Sequence, residues 1–163
     1  MRESIWKYNT NATVIDAASP IDVDKPELIK GKRVLVVEDG PTVTHGSMPS
    51  GAGLAAAVQY GASEVVDPRP WAVGSLREVF DRYPHIGPVL PAMGYRTEQV
   101  EELAASITAV PCDLVLAATP IDLAGIVRVA APILRVTYAS AEIDGTPLAD
   151  AFLGLVGGRE REV

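Results

Sequence analysis

Residues 34–53, VLVVEDGPTVTHGSMPSGAG, lead from an apolar run into a loop rich in glycine, hydroxyl groups and one histidine. Between a strand and a helix, such a loop presents backbone N–H groups that bind phosphates. It lacks a Gly-Lys-Ser/Thr ending and is therefore not a Walker phosphate loop. We predict that it binds a phosphorylated substrate; the alternative is a tight turn whose hydroxyls only cap the next helix. The predicted substrate-binding residues in it are Gly40, Thr42, Thr44, His45, Gly46 and Ser47, with Gly51 and Gly53 allowing close approach to the backbone.

Two acidic residues, Glu38 and Asp39, directly follow the apolar run. Their carboxylates could bind Mg²⁺, which takes hard oxygen ligands beside substrate phosphates. They could equally be solvated loop residues, or accept hydrogen bonds from the N–H groups of the glycine-rich loop. Glu38 and Asp39 are therefore the candidate metal ligands, with all three alternatives open.

Two arginines are candidates for holding an anionic substrate. Arg69 lies between two prolines in DPRPW, on a stiffened backbone, so its planar guanidinium could be presented to a phosphate or carboxylate. A structural ion pair with Asp67 is the equal alternative. Arg96 follows a predicted strand, at the edge where ligands bind. His85 precedes that strand, and we expect it to be structural.

Short β-type runs alternate with longer amphipathic segments along the chain, which predicts an α/β fold. We expect a Rossmann-like, mostly parallel sheet of about five or six strands with flanking helices. The predicted strands are Ala12–Asp16, Arg33–Glu38, Glu64–Asp67, Pro88–Pro91, Asp113–Ala118 and Leu134–Tyr138. The predicted helices are Ser50–Tyr60, Gly74–Tyr83, Thr97–Thr108 and Ile121–Ala130.

Polar residues, glycines and prolines gather where these strands end. The segments concerned are Asp16–Ser19, Glu38–Gly40, Asp67–Pro70, Pro91–Tyr95, Thr119–Asp122 and Tyr138–Ser140. Parallel α/β sheets bind their ligands at the carboxyl ends of the strands. We therefore predict the functional site at this edge of the sheet.

The composition is that of a folded domain: 163 residues, of which 48% are hydrophobic and 21% charged. A net charge of −7 argues against nucleic acid as a partner, because binding it requires a basic surface. The single cysteine, Cys112, excludes an internal disulfide and a cysteine-rich metal site. No apolar run reaches the roughly 20 residues of a membrane span, so we expect a cytoplasmic protein without a membrane partner.

Four segments, in order, resemble the C-terminal part of cyclic 2,3-diphosphoglycerate synthetase and the related predicted GTPases. They are VVEDGPTVTHGSMPSGAG, ASEVVDPRPWAVGSL, YPHIGPVLPAMGYRTEQVEEL and CDLVLAATPIDL. The resemblance runs from about Asn11 to about Pro147. Members of this family also carry a P-loop domain with a Gly-Lys-Ser element. This sequence contains neither that element nor an Asn-Lys-x-Asp element.

The resemblance also implies a domain organisation. NATVIDAASPI would be the last strand of the nucleotide-binding domain, with Ala18 and Ser19 beside the nucleotide base. We therefore expect that strand and a linker in residues 1–30, a Rossmann-like C-terminal domain in 31–155 and a frayed tail in 156–163. The chain would then be a fragment, a separate subunit or a truncated gene product.

By resemblance, the family's activity is nucleotide-driven closure of a phosphoanhydride within 2,3-diphosphoglycerate, with Mg²⁺ and ATP or GTP as cofactors. We expect this chain to be the substrate-binding part of such a ligase, not competent alone because the P-loop is missing. Its expected partners are a small phosphorylated metabolite, a P-loop subunit and further copies of itself. The alternatives are a non-catalytic module that binds phosphorylated metabolites or serves as a partner subunit, and a remnant with only a structural role.

Overall fold

A computed structural model describes residues 2–144 and 147–157. The chain divides into two compact units. The sheet unit is Ile21–Tyr138; the terminal unit combines Met1–Pro20 with Ala139–Val163 and is described over 2–20, 139–144 and 147–157. The domain boundaries predicted from the sequence remain a prediction. None of the helices in the described ranges is long and apolar enough to cross a membrane.

Eight strands and seven α-helices lie within the described ranges. The strands are β1 (Asp16–Ala18), β2 (Ile21–Val23), β3 (Arg33–Asp39), β4 (Glu64–Val65), β5 (Leu90–Ala92), β6 (Leu114–Ala118), β7 (Ile133–Tyr138) and β8 (Ala141–Asp144). The helices are α1 (Arg2–Tyr8), α2 (Gly40–Thr44), α3 (Ala52–Gln59), α4 (Ser75–Arg82), α5 (Thr97–Ala109), α6 (Leu123–Ile126) and α7 (Leu148–Gly157). Single 3₁₀ turns occur at Pro26–Leu28 and Arg69–Trp71.

The sheet unit is built on a six-stranded sheet in the order β2, β7, β6, β3, with β4 and β5 both beside β3. β4 pairs with the start of β3, where Arg33 lies opposite Glu64, and β5 pairs with its end, where Asp39 lies opposite Ala92. β2 pairs antiparallel with β7, and the other pairs are parallel. The predicted α/β fold with a mostly parallel sheet and flanking helices is confirmed.

β3 and β6 form the centre of the sheet because they are apolar on both faces. Residues 34–37 have no exposed surface, and residues 114–117 are at most 3% exposed. The β3–β4 and β5–β6 connections cross the sheet in opposite directions, so right-handed crossovers place α3 and α5 on opposite faces. Strand alternation then turns Val36 and Glu38 toward α3, and Asp39 toward the face of α5.

Several segments differ from the sequence predictions. The strand expected at Ala12–Asp16 lies at Asp16–Ala18. The segment Ala17–Pro26, which reads as a linker in the sequence, contains most of β1 and all of β2. Strands of three residues are too short to show an alternating pattern. The helix expected over Ile121–Ala130 is one turn, α6, and the backbone is extended again at Val127. The β-branched valines at 127 and 129 favour that extended state.

The terminal unit contains α1, α7 and the antiparallel pair of β1 with β8. Neither β8 nor α7 is predicted from the sequence. Residues 156 and 157 of the predicted tail belong to α7, and residues 158–163 lie outside the described residues. Large apolar side chains of α7 are exposed: Leu148, Phe152, Leu153 and Val156.

Candidate functional site

The glycine-rich loop is organised around Glu38, at the end of β3. This side chain is 1% exposed, and its Oε1 accepts hydrogen bonds from the backbone N–H groups of Gly51, at 3.0 Å, and Leu54, at 3.1 Å. Those N–H groups belong to the start of α3, which is where a helix favours a negative charge. Glu38 therefore occupies the position at which an external anion was expected. Acceptance of hydrogen bonds from the N–H groups of the glycine-rich loop is one of the three alternatives given above for this residue.

Two positions of the loop, Gly51 and Gly53, have no room for a side chain because Glu38 lies against them. A Cβ atom on Gly51 would be 2.7 Å from Glu38 Oε2. A Cβ atom on Gly53 would be 2.7 Å from Val36 Cγ1 and 3.1 Å from Glu38 Oε1. Real Cβ atoms do not approach other atoms so closely, so a larger residue at either position would displace the carboxylate or the helix. These contacts account for Gly51 and Gly53 without a ligand.

Burial is the main influence on the protonation of Glu38. It raises the pKa of the carboxyl, and the nearby Asp39 charge raises it further. Hydrogen bonds from the N–H groups of Leu54, Gly51 and Gly53 oppose the shift, but the pKa remains above its ordinary value. The folded protein therefore takes up a proton at Glu38 more readily than the unfolded chain does.

The predicted substrate-binding residues Gly40, Thr42 and Thr44 lie in α2, which is a short helix and not an open loop. Thr44 Oγ1 donates a hydrogen bond to Gly40 O at 2.9 Å, and Gly40 is buried against Ala92 O and Met93 Sδ. Thr42 is half-buried. The hydroxyl of Thr44 thus has a partner within the helix.

Beyond α2, residues 45–49 are exposed, and they include the predicted site residues His45, Gly46 and Ser47. Gly46 and Ser47 have left-handed backbones, with φ of 73° and 57°. His85 Nε2 lies 2.9 Å from Val43 O, so this histidine contacts the backbone of α2. The structure does not bring the exposed loop residues to Arg69 or Arg96 through any hydrogen bond within the described ranges. Their role in binding a substrate remains a prediction.

Arg69 is engaged within the protein. Nη1 lies 2.8 Å from Asp67 Oδ2, and Nη2 donates a hydrogen bond to Ile86 O. The guanidinium also lies over the ring of Phe80, 5.1 Å from its centroid. These contacts correspond to the structural alternative for Arg69, extended by a carbonyl and an aromatic ring.

Arg96 is exposed at the N-cap of α5, where its backbone N–H donates to Gln99 Oε1 at 3.3 Å. Ala18 and Ser19, the residues predicted to lie near a nucleotide base, are exposed in the terminal unit. Both assignments remain predictions.

Three side chains meet where β3, β5 and β6 end; we call this set, Asp39, Tyr95 and Thr119, the carboxyl edge. Asp39 follows Glu38 on the opposite face and is half-buried. Tyr95 is 39% exposed, whereas Thr119 is buried and donates from Oγ1 to Ile121 O at 2.9 Å. These strand ends belong to the predicted functional edge, although no role is predicted from the sequence for Tyr95 or Thr119. Their position is the signal that could have identified them, since Thr119 directly follows β6 and Tyr95 is the third residue after β5.

The electrostatics connect these three groups. Burial raises the pKa of the Asp39 carboxyl. Burial also raises the pKa of the Tyr95 hydroxyl, the Asp39 charge adds to that shift, and hydrogen bonding with Thr119 opposes it. Within the described part of the chain, Asp39 forms no ion pair. A partly desolvated carboxylate beside a neutral tyrosine hydroxyl can bind a cation or an N–H donor.

The two predicted magnesium ligands, Glu38 and Asp39, lie on opposite faces of β3. The described residues contain no cluster of three or more His, Cys, Asp or Glu side chains that could hold a metal ion. Of the two predicted ligands, Glu38 is already bound to N–H groups and turned toward α3, which leaves Asp39 alone on the other face. The metal assignment for Glu38 and Asp39 remains a prediction.

The chain is similar to a known protein over most of its length. Over 143 residues the chain is 57% identical to arginine synthetase ArcE of Thermococcus kodakarensis. The match covers 88% of this chain and 32% of that protein, so the chain spans about a third of the relative's length. No family model and no solved structure matches the chain. The similarity gives no specific support for cyclic diphosphoglycerate synthetase or for a GTPase.

Proposed function

We propose that this chain is the substrate-binding part of a nucleotide-dependent ligase, and that the carboxyl edge binds a nitrogen-containing group of the substrate. The observation that carries the proposal is the carboxylate of Asp39, which is partly buried at the strand ends and has no ion-pair partner within the described ranges. Identity to a protein named arginine synthetase supports the same reading, because arginine ends in a guanidinium cation.

The arrangement favours a cationic group over a bisphosphate at this edge. A phosphate bound there would face the Asp39 charge, and the N–H groups at the start of α3 are already bound to Glu38. Arg69, which would have offset the phosphate charge, is bound to Asp67 and Ile86. A guanidinium or ammonium would instead donate a charge-assisted hydrogen bond to the carboxylate of Asp39 and could donate another to the hydroxyl oxygen of Tyr95.

The energy-supplying chemistry would come from outside this sequence. The family that this sequence resembles carries ATP or GTP on a P-loop domain, and this sequence contains no Gly-Lys-Ser element. We place the nucleotide, Mg²⁺ and the P-loop on another segment of the same polypeptide or on a partner subunit. Self-association is part of the same proposal, because α7 exposes several large apolar side chains.

Isothermal titration calorimetry of the full chain tests the substrate class. L-Arginine should bind, and Asp39→Asn should weaken it about tenfold or more, since a charge-assisted hydrogen bond is lost. Asp39 makes no side-chain cap hydrogen bond to α2, so this variant should fold normally. Asp81→Asn, an exposed carboxylate on α4, is the matched control and should bind like the wild type. Equal affinities of both variants would contradict the proposal.

The alternative function is a module that binds a phosphorylated metabolite, as in a cyclic 2,3-diphosphoglycerate synthetase. The exposed His45 and Ser47, on a left-handed turn with Gly46, favour it. Titration with 2,3-diphosphoglycerate in the same calorimeter separates the two functions. Binding of this bisphosphate that is lost in His45→Ala, together with no heat from L-arginine, would establish the alternative.

A further inference from the structure

A polar cavity of about 240 Å³ opens in the sheet unit, over the neighbouring strands β6 and β7. We call it the charged pocket. Ala117 of β6 and Ile133 of β7 line it, together with three charged residues, Asp24, Asp122 and Arg135. Of these residues, only Asp122 lies in a segment predicted to belong to the functional edge, and none is a predicted site residue.

The charged pocket exists because the connection between β6 and β7 contains only a short helix. A crossover helix of ordinary length would cover this face of both strands, but α6 has only four residues. Ala117, which pairs with Arg135 across β6 and β7, adds only a methyl group to the surface. The gap leaves the side chain of Arg135 exposed.

The three charged residues do not pair with one another within the described ranges. In the described part of the chain, none of them forms an ion pair. The side chain of Arg135 makes a single long hydrogen bond there, from Nη2 to Pro120 O at 3.5 Å. One guanidinium and two carboxylates in a cavity of this size match a small ligand that carries both a carboxylate and an ammonium.

The charged pocket and the carboxyl edge lie on the same face of the sheet. Val37, Ala117 and Arg135 are register neighbours on β3, β6 and β7. Two strand spacings separate the Cα atoms of Val37 and Arg135 by about 10 Å, and Asp39 lies about 7 Å further along β3. These two offsets place the Cα atoms of Asp39 and Arg135 about 12 Å apart, and an extended amino acid held between their two side chains can bridge that gap.

We propose that the charged pocket binds the α-carboxylate and α-ammonium of an L-amino acid whose side chain extends to the carboxyl edge. Arg135 holds the carboxylate, and Asp24 and Asp122 hold the ammonium. The identification of the substrate as an amino acid with a nitrogen-containing side chain rests on the function proposed for Asp39; the charged pocket itself does not.

Two-dimensional ¹H–¹⁵N NMR of the full chain tests this with L-arginine and with agmatine, which lacks the α-carboxylate. L-Arginine should shift amide signals at both places, around Asp122 and Arg135 and around Asp39 and Tyr95. Agmatine should shift only the signals at the carboxyl edge. Arg135→Met should weaken L-arginine about tenfold or more through loss of the charged hydrogen bonds. Arg128→Met removes another exposed arginine of the sheet unit and should have no effect.

The outcomes separate the two proposals. Shifts confined to the carboxyl edge with both compounds would overturn the charged pocket and leave the proposed function standing. Shifts confined to the charged pocket would support ligand binding there and would contradict the binding role of Asp39. Absence of shifts at both places would overturn both. The spectrum of each variant also reports whether it is folded, so a misfolded Arg135→Met would be recognised and replaced by Arg135→Gln.

Discussion

Removal of the Glu38 carboxylate should strongly destabilise the sheet unit. In Glu38→Ala the N–H groups of Gly51 and Leu54 lose their acceptor at the start of α3. An unsatisfied buried N–H costs about 1–3 kcal/mol, and relief of the buried charge offsets part of the two losses. We expect the free energy of unfolding to fall by about 3 kcal/mol, which lowers Tm by roughly 10 °C for a unit of this size.

Denaturant unfolding followed by tryptophan fluorescence measures this loss, since the half-buried Trp71 lies in the sheet unit. Glu38→Gln is the control: it keeps an acceptor oxygen and removes the charge, so its stability at neutral pH should lie within about 1 kcal/mol of the wild type. A loss below about 1 kcal/mol in Glu38→Ala would refute the role of Glu38 at the start of α3. Equal losses in Glu38→Gln and Glu38→Ala would show that the charge matters, not the acceptor.

The pH dependence of the same pair tests the protonation of Glu38. Its pKa is raised in the folded protein, so the folded state binds the proton more tightly than the unfolded chain. The stability that this protonation adds is fully present below about pH 4.5, the ordinary pKa of the carboxyl, and is lost as the pH rises through the folded pKa. The stability of the wild type relative to Glu38→Gln should therefore decrease with rising pH over this range; an increase would contradict the shift.

Three further predictions follow from the same contacts. Gly53→Ala places a Cβ atom 2.7 Å from Val36 Cγ1 and should destabilise by about 3 kcal/mol. Gly46→Ala meets no atom within 4 Å and should lose only about 1 kcal/mol for its left-handed backbone; equal losses in urea unfolding would contradict the packing at Gly53. Arg69→Met should lose about 1–2 kcal/mol of stability and leave the affinity for L-arginine unchanged in calorimetry. Unchanged stability with weaker binding would instead indicate that Arg69 binds the ligand. The purified chain should hydrolyse neither ATP nor GTP in a phosphate-release assay, and clear turnover would contradict the absence of nucleotide chemistry.

The central strands could be predicted because burial on both faces leaves a continuous apolar run in the sequence. The predicted helix Thr97–Thr108 also agrees closely with α5, since its N-terminal threonine and acidic first turn are local signals. β2 could not be predicted in the same way. Its three residues form a strand because β7 offers a free edge, and that pairing is decided by tertiary structure.

The candidate site could be predicted only in part, for a similar reason. The sequence shows an acidic pair beside a glycine-rich loop, but not whether an external anion or a side chain fills the start of the helix. Strand alternation could have separated the pair, since Glu38 shares a face with Val36 and Asp39 does not. Which face carries α3 depends on the order of the strands, and no pattern within residues 34–53 contains that information.

The most direct test of the central claim is the pKa of Asp39, measured by carbon-detected NMR titration with and without saturating L-arginine. Burial raises this pKa in the free protein. A guanidinium bound against the carboxylate favours its charged form, so the pKa should fall when L-arginine binds. An Asp39 pKa that is the same in the free and saturated protein would contradict the binding of a cationic group at the carboxyl edge.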